Sequence, residues 1–469
     1  MVLARKLIVH AYLAISGVRG KLRALEELQW LERDQLRALQ EKRLRRLLAH
    51  ASRSVPFYRR MLARTGVADA SGEIHLDRFT AIPLLDKPTL RDSFDELMSD
   101  DIDSRRRIIV HTGGSTGRPA RVVFSDDREV WPTLAMLFDS WAGYHPVDRE
   151  VTFWGSTHGT SGDSAGRGAF SAKLRRWVNN WSRFDSYRVT PPLLHTYVGK
   201  INNIKPEHLY GYADFLYYFA RFIEREHLAV HPPDSIIVTA TPLHAHMRQT
   251  IERVFRAPVL ERYGAAEVCH LAAQCEQRTG LHISPTTHFV EVLRQDGTPA
   301  APGELGEVVV TPLFNFAMPL LRYRLEDLGR WASAPCPCGR TWPQLAEVTG
   351  RRIDVFVTRG GELVSGGLFI KIVEHVNYDH GDFIEKYQIV QEDFDHVRIL
   401  LKLFEGDRAS AHEAALQEVR DNVAHVVGPG VRLDFEFPAD IEPSPSGKYR
   451  FTVSKVARSS AQHSDLFET

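Results

Sequence analysis

The residues best suited to anion chemistry lie in residues 111–119, whose sequence is HTGGSTGRP. An apolar run at 108–110 predicts a strand before them and residues 120–124 predict a second, so the stretch joins two strands as a hairpin loop. Glycine allows close backbone approach, so successive N–H groups can converge on phosphate oxygens. The candidate phosphate-binding residues are Thr112, Gly113, Gly114, Ser115, Thr116 and Gly117. No Lys-Ser/Thr pair closes the loop, which excludes the usual P-loop, and a plain surface turn is the alternative.

Two carboxylates, those of Glu267 and Asp327, lie at the ends of predicted strands. Glu267 closes the stretch ERYGAAE, which follows a predicted strand at 258–263. Because ligands bind at the carboxyl ends of strands in α/β sheets, this carboxylate is a candidate Mg²⁺ ligand, with a solvated glutamate as the alternative. Asp327 lies in RYRLEDLG at a predicted strand exit and could accept hydrogen bonds from both ribose hydroxyls. An Asx turn would use the same residue.

A lysine near the end of the chain is a third candidate. Lys448 lies in PSPSGKYR, a proline- and glycine-rich stretch that predicts an exposed loop. Such a lysine can reach an anion bound to another domain. A solvated surface charge is the alternative.

Three of the four cysteines have the spacing of metal ligands. Cys336 and Cys338 are separated by a single proline, and Cys275 and His282 lie upstream. Three thiolates and one imidazole complete a tetrahedral structural zinc site. Buried, unligated thiols are the alternative, and Cys269 is interpreted as a core thiol.

The elements that must position these residues alternate between helix and strand. Helical periodicity is predicted over residues 22–65, with a break at residues 54–58, and over 127–142, 213–227 and 244–256. Strands are predicted over residues 151–155, 208–212, 235–241 and 258–263. Beyond residue 282 the pattern becomes all-β. We therefore expect an α/β and α+β protein, with layered α/β sheets and a small β region in residues 1–349. Residues 350–469 are expected to form a small α+β domain of their own.

Composition excludes several classes of protein. The 469 residues are 43% hydrophobic and 25% charged, as in an ordinary globular protein. Lys+Arg and Asp+Glu both number 59, which argues against a nucleic-acid partner. No run reaches the roughly 18 apolar residues of a membrane span. The basic, apolar N-terminus lacks a clear cleavage site, so we interpret it as a helix and expect a cytoplasmic protein.

Five stretches in this order resemble the adenylate-forming superfamily of acyl- and aryl-CoA ligases. They are HTGGSTGRP, YGAAE, RYRLEDLG, TGRRIDVFVTRGG and PSPSGK. The stretches RLRRLLAHASRSVPFYRRML and FTAIPLLDKPTLRDSF, with the cysteine pattern, are similar to the phenylacetate-CoA ligase and CapK-like branch. The resemblance covers nearly the whole chain. It implies a large N-terminal adenylate-forming domain followed by a small lid domain.

The resemblance also implies a reaction in two steps. A carboxylate attacks the α-phosphate of ATP, giving an acyl-adenylate and pyrophosphate, and CoA then displaces AMP. The loop at 112–117 would bind the β- and γ-phosphates, Glu267 would hold Mg²⁺, and Asp327 would bind the ribose. Tyr263 and Gly264 would flank the adenylate, and Arg351 would also contact the nucleotide. The lid would carry Lys448 to the α-phosphate and then rotate about residues 350–354. The resemblance extends to the zinc set of Cys275, His282, Cys336 and Cys338.

The acid pocket is expected at the strand ends, and its tyrosines favour an aromatic or otherwise apolar acid. Its candidate residues are Tyr210, Gly211, Tyr212, Ala240 and Ala265, with residues 155–169 as a lid. Two other functions stay open: transfer of the acyl group to an amine, hydroxyl or carrier-protein thiol, and nucleotide binding without catalysis. Ile353 replaces the first of two aspartates usual at the hinge, which bears on CoA transfer. The expected partners are a small carboxylic acid and CoA or another acceptor, and a homodimer is compatible with this prediction.

Overall fold

The structure is a computed structural model of the chain. It describes residues 17–102, 107–111, 120–125, 130–154, 180–186, 191–351, 355–358, 363–428, 430–442 and 450–456. Two compact units are distinguished by their internal contacts. One comprises Met1–Leu243, Met247–Leu325 and Gly329–Val348, and the other His244–His246, Glu326–Leu328 and Thr349–Thr469. Among the helices described, none combines the length and hydrophobicity needed to cross a membrane.

Three helices occupy the region where helical periodicity with a break at residues 54–58 was predicted. They are α1 (Val18–Leu28), α2 (Arg33–Ser54) and α3 (Pro56–Thr65). The break between α2 and α3 falls at Val55, which is extended because the residue before a proline is sterically excluded from the helical region. The side chains of Glu32 and Gln35 form a reciprocal capping box at the start of α2. A 3-10 helix (Leu76–Ala81) and the short α4 (Lys87–Asp92) follow.

The predicted hairpin is confirmed by the pairing of its strands. β1 (Arg107–His111) and β2 (Arg121–Ser125) are antiparallel, with Ile109 opposite Val123. Val122, Val123 and Phe124 are buried in the main core. The connecting residues 112–119 lie outside the described residues.

The α/β layer consists of parallel strands with helices between them. Its strands are β3 (Glu150–Phe153), β4 (Trp181–Phe184), β5 (His208–Tyr212), β6 (Ser235–Thr239) and β7 (Val259–Ala265). Its helices are α5 (Val130–Trp141), α6 (Pro191–Ile204), α7 (Ala213–Arg225) and α8 (Ala245–Phe255). The predicted strands and helices of this layer lie within a few residues of their observed positions, whereas β4 and α6 were not predicted. The predicted fold class is confirmed.

Antiparallel strands extend this layer into one large sheet. They are β8 (Cys269–Gln274), β9 (Leu281–Ile283), β10 (His288–Leu293), β11 (Gly306–Pro312), β12 (Tyr323–Trp331) and β13 (Gln344–Arg351). The strand order is β10-β11-β12-β13-β9-β8-β7-β6-β5-β3-β4. The change from antiparallel to parallel pairing occurs at β7, because β7 pairs antiparallel with β8 and parallel with β6.

The second unit is a small α+β structure. Its strands are β14 (Val355–Val357), β15 (Leu363–Ser365), β16 (Ile384–Asp393), β17 (His396–Leu403), β18 (Arg432–Glu436) and β19 (Thr452–Ser454). Its helices are α9 (Gly366–Asp379) and α10 (Glu413–Val427). A separate 3-10 turn, Ala409–Ala411, precedes α10. The sheet order is β18-β17-β16-β19, and the sequence did not predict β19.

Candidate active site

Four parallel strands end at one edge of the large sheet. β3 pairs with β5, β5 with β6 and β6 with β7, with Phe153 beside Gly211 and Tyr212 beside Thr239. The predicted acid-binding residues lie at or just beyond these ends: Tyr210, Gly211, Tyr212, Ala240 and Ala265. Ala240 has a φ of 72°, a left-handed conformation that turns the chain away from β6. The structure thus brings residues from three separate stretches to the edge where ligands bind in α/β sheets.

Aromatic side chains form one wall at this edge. The ring of Trp154, directly after β3, lies 4.6 Å from the ring of Tyr212 and 6.0 Å from that of Tyr210 between centroids. Gly211 leaves little space for a larger residue, since a Cβ there would be 3.1 Å from the Cβ of Phe153. Burial raises the pKa of Tyr210, which keeps its hydroxyl protonated. Trp154 was not among the predicted site residues, although it follows a predicted strand.

The close approach of β7 and β8 requires a glycine in the YGAAE stretch. Gly264 faces His270 across the β7–β8 pair at a bulge between Tyr263 and Gly264. A Cβ on Gly264 would overlap the carbonyl oxygen of Cys269, so only glycine fits this approach of the two backbones. Cys269 has a φ of 67°, is half-buried and packs against the main core, in agreement with its interpretation as a core thiol. Tyr263, Gly264 and Ala265 are likewise partly accessible.

Glu267 is held in the turn itself. It is only 5% exposed, and the hydroxyl of Tyr323 donates a 3.1 Å hydrogen bond to its Oε1. Among the described residues, this is the one hydrogen bond recorded for the carboxylate, so its remaining acceptor positions can serve a cation. A buried carboxylate is costly unless it is paired or coordinates a metal. The donor set therefore fits Mg²⁺, a cation that prefers oxygen ligands.

The RYRLEDLG stretch forms β12, and Asp327 lies inside this strand instead of at its exit. The strand continues to Trp331 because β12 is paired on both sides in the sheet. Glu326, with a φ of 65°, interrupts its regular conformation just before Asp327. The side chain of Arg324 pairs bidentately with Glu307, at 2.9 and 2.6 Å, so this arginine is structural.

Several predicted site residues cannot be placed. Thr112, Gly113, Gly114, Ser115, Thr116, Gly117 and Lys448, the proposed lid at 155–169 and hinge residues 352–354 lie outside the described residues. Arg351 ends β13, and its side chain is also outside the description.

The predicted metal ligands are brought together. The ligand atoms of Cys275, His282, Cys336 and Cys338 all lie within 4.8 Å of one another. Cys275 Sγ is 3.7 Å from Cys336 Sγ, and His282 Nε2 is 3.4 Å from Cys338 Sγ. Ligands of a tetrahedral zinc ion are about 3.6–3.8 Å apart, given Zn–S of about 2.3 Å and Zn–N of about 2.0–2.1 Å. The four residues therefore have the spacing of a zinc site.

The surroundings orient these ligands as metal sites require. His282 Nδ1 lies 3.3 Å from the carbonyl oxygen of Trp342, which directs Nε2 toward the thiols. Burial lowers the pKa of His282, so its imidazole stays neutral, the form that ligates. The backbone N–H of Arg340 donates to Cys338 Sγ at 3.4 Å. The cysteine loop also binds α1, since Trp342 Nε1 donates to the carbonyl oxygen of Leu28 at 3.2 Å.

Comparison with known proteins gives consistent matches. A family model described as the CapK C-terminal domain matches residues 356–455. A phenylacetate-coenzyme A ligase of Thermus thermophilus is 30% identical over 345 residues, which are 71% of this chain and 74% of the relative. Protein CapK of Staphylococcus aureus is 23% identical over 92% of each chain. A crystal structure of 2-hydroxyisobutyryl-CoA ligase with an acyl-adenylate has a TM-score of 0.69 at 21% identity, covering 92% of each chain.

Proposed function

This chain belongs to the phenylacetate-coenzyme A ligase family, and from that premise we propose that it activates a carboxylic acid with ATP and transfers it to CoA. A carboxylate oxygen of the acid attacks the α-phosphorus, and the bond to the bridging oxygen breaks, releasing pyrophosphate. The CoA thiolate then attacks the acyl carbon, AMP leaves with the electrons of the C–O bond, and the thiol proton passes to solvent. The predicted family and the predicted AMP-forming ligase activity agree with this membership.

The observation that carries the proposal is the Gly264–Glu267 turn at the end of β7. It combines a glycine-only approach of two strands with a buried carboxylate that retains acceptor capacity. The turn lies where the parallel strands end, beside an aromatic wall that suits an aryl or otherwise apolar acid. Adenylation is promoted mainly by positioning and by neutralising phosphate charge, and such an edge supports both.

Within this proposal the residues of the chain have distinct tasks. Glu267 would hold Mg²⁺, which supplies neutralising charge at the phosphates when it is bound. Tyr263 and Gly264 would flank the adenylate, Asp327 and Arg351 would contact the nucleotide, and residues 112–117 would bind the outgoing pyrophosphate. The domain at 350–469 would act as the lid that carries Lys448 to the α-phosphate.

We further propose that Cys275, His282, Cys336 and Cys338 bind a structural zinc ion. Their mutual distances and the fixed imidazole support this. All four ligand positions are filled by protein, as in structural sites, so the ion would hold together the segments around β8, β9 and the β12–β13 connection without entering the reaction. The cytoplasm is the proposed location, because ATP and CoA are available there.

An ATP–pyrophosphate exchange assay over a panel of aryl, aliphatic and hydroxy acids tests the first step. We expect acid-dependent exchange that requires Mg²⁺ and falls at least about 100-fold in Glu267→Gln. Arg324→Lys, at a structural ion pair, is the control and should retain exchange. A chain that binds ATP but shows no exchange with any acid would be a non-catalytic relative, and the proposal would be wrong.

The acceptor needs a separate test, because the match at residues 356–455 is to the CapK C-terminal domain. Acyl transfer to an amine, hydroxyl or carrier-protein thiol is therefore the second candidate. Stoichiometric consumption of CoA thiol with AMP release supports transfer to CoA. Exchange without CoA consumption supports the second candidate.

A further inference from the structure

One buried polar atom near the end of β7, Arg262 Nε, has no hydrogen-bond partner among the described residues, and the His270 imidazole lies on the neighbouring strand. Arg262 is 5% exposed, and although its guanidinium pairs with Asp139 on α5, its Nε is buried without a partner among the described residues. His270 lies on β8, opposite Gly264, and is half-buried. Buried polar groups are nearly always satisfied, so Arg262 Nε calls for a ligand atom.

Both groups belong to the face of the sheet that carries the aromatic wall. The Arg262 guanidinium carbon lies 5.7 Å from the centroid of the Tyr210 ring. Tyr210 in turn packs against Trp154. Loss of hydration lowers the pKa of the His270 imidazole to about 3, and electrostatic repulsion from Arg262 adds to this effect. Arg262, His270 and Tyr210 therefore border one small region, and the imidazole within it is neutral.

The spacing along β7 relates this region to the adenylation centre. Arg262 precedes Gly264 by two residues, so it lies about 6.6 Å further from the strand end, at about 3.3 Å per residue. This is roughly the length of a benzene ring with one substituent. An acid whose carboxylate lies beside Gly264 and whose ring lies against Trp154 and Tyr210 would place its distal atoms near Arg262 and His270.

The charged side chains around Arg262 determine which chemical group at the far end of the acid can bind there. Asp139 already neutralises Arg262, and the Glu150 carboxyl is close enough to interact with both of them. A second carboxylate would meet these acids without an uncompensated cation, which excludes a dicarboxylic acid on electrostatic grounds. A neutral hydroxyl can accept a hydrogen bond from Arg262 Nε and exchange one with the His270 ring.

On the basis of the proposed function, we propose that Arg262 and His270 bind a hydroxyl group at the far end of the substrate, which is therefore a hydroxylated aromatic acid. A site built to bind a hydroxyl discriminates strongly against the analogue that lacks it, because its buried polar groups are then left unpaired. His270 would be a specificity-determining residue.

Matched pairs of acids test this inference with the purified full-length protein. Pyrophosphate release is measured with ATP and Mg²⁺ for phenylacetate against 4-hydroxyphenylacetate, benzoate against 3- and 4-hydroxybenzoate, and for hexanoate and succinate. We expect kcat/KM to be at least about 100-fold higher for the hydroxylated member of the preferred pair. Equal or higher kcat/KM for the unhydroxylated acids overturns the inference but leaves the proposed function standing. No release with any acid contradicts both.

Variants of His270 link the preference to this residue. His270→Phe should lower kcat/KM for the hydroxylated acid about 10- to 100-fold while leaving or raising that for its partner, and His270→Gln, which keeps an amide donor and acceptor, should restore part of the preference. His195→Phe, the same change at an exposed position of α6, should leave the ratio unaltered. An unchanged ratio in a folded His270→Phe protein would show that His270 does not set specificity. The preference of the unmodified protein tests the substrate class even if this variant does not fold.

Discussion

The hydroxyl of Tyr323 on β12 donates a 3.1 Å hydrogen bond to Oε1 of Glu267, 56 residues earlier in the chain. Tyr323 is fully buried and Glu267 nearly so. Within the described part of the chain, this hydrogen bond is the contact that holds the carboxylate of the proposed Mg²⁺ ligand in place. A ligating carboxylate that is itself hydrogen-bonded is held in one orientation. The tyrosine of RYRLEDLG is therefore a positioning residue for the glutamate of YGAAE.

Tyr323→Phe should consequently lower the affinity of the enzyme for Mg²⁺ more than it lowers the stability of the fold. Loss of a hydrogen bond to a charged group costs about 1.5–3 kcal/mol, so we expect kcat/KM for adenylation to fall about 10- to 100-fold. The Mg²⁺ concentration for half-maximal exchange should rise, which a magnesium titration of the exchange assay would detect.

Tyr58→Phe provides the matched control for this variant. Tyr58 is equally buried, and its hydroxyl accepts a 3.1 Å hydrogen bond from the backbone N–H of Leu321. That variant should lose about 1–3 kcal/mol of unfolding free energy while keeping the normal Mg²⁺ requirement. If both variants showed the same Mg²⁺ dependence as the unmodified protein, the positioning role of Tyr323 would be refuted.

Gly264→Ala tests the close approach of β7 and β8. The added methyl group would overlap the carbonyl oxygen of Cys269, so the turn must shift and move Glu267 with it. A displacement of about 1 Å at a catalytic group can cost about 100-fold in rate, and we expect at least that loss of exchange activity.

The contrasting change is Gly199→Ala on the exposed surface of α6. A Cβ at Gly199 meets open space, and alanine is favoured over glycine inside a helix by about 0.5–1 kcal/mol. Gly199→Ala should therefore raise the melting temperature slightly and retain full exchange activity. Comparable activity in the two alanine variants would contradict the steric account of Gly264.

The sequence predicted those features that depend on local pattern. The hairpin and the strands of the α/β layer follow from alternating apolar runs, and the Cys-Pro-Cys spacing indicated the metal cluster. The helical prediction over residues 22–65 included the break at Pro56 but not the earlier one between Leu28 and Arg33. Asp327 was placed at a strand exit because sequence alone does not show that both sides of β12 are paired.

The supporting contacts could not be predicted because they join distant residues. Arg262 and Asp139 are 123 positions apart, and Tyr323 and Glu267 are 56 apart. Nothing in the spacing of an isolated aspartate on α5 indicates that it meets an arginine on β7. No local sequence pattern marks His270 as a site residue. Only the pairing of β7 with β8 shows that it lies opposite Gly264. The roles of Lys448 and residues 112–117 stay predictions.

Cys338→Ser should remove the metal and destabilise the region around it. Cys338 Sγ lies 3.4 Å from His282 Nε2, and loss of one of four ligands strongly weakens a structural zinc site. We expect about one equivalent of zinc per chain in the unmodified protein by elemental analysis and substantially less in the variant. The variant should also have a lower melting temperature.

The fourth cysteine supplies the control for that experiment. Cys269 lies outside the cluster of ligand atoms, so Cys269→Ser should retain the zinc. Removal of zinc by a chelator should lower the melting temperature of the unmodified protein without abolishing exchange at low temperature, since the ion takes no part in the reaction. Absence of zinc from carefully prepared unmodified protein would refute the assignment.

Glu261 gives the protein a pH-dependent stability with a defined sign. Glu261 is half-buried on β7, and the loss of hydration around its carboxyl raises its pKa from 4.5 to about 7, despite the opposing attraction of Arg248. Since the folded state holds this proton more tightly than the unfolded state, the contribution of Glu261 is most favourable below pH 4.5 and is lost as pH rises to about 7. Glu261→Gln removes the ionisation. The free energy of unfolding of this variant, relative to that of the unmodified protein, should therefore be higher at pH 8 than at pH 5, by up to a few kcal/mol.

The opposite case is Glu276, whose pairing with Arg340 lowers the pKa of its carboxyl below the ordinary value despite the opposing effect of burial. Its favourable contribution is present above pH 4.5 and is lost as the pH falls through the lowered pKa, so Glu276→Gln should be less stable than the unmodified protein at pH 8. Urea unfolding of both variants and of the unmodified protein at pH 5, 6, 7 and 8 measures these differences. A stability difference for Glu261→Gln that does not change across this range would show that Glu261 titrates normally in the folded protein.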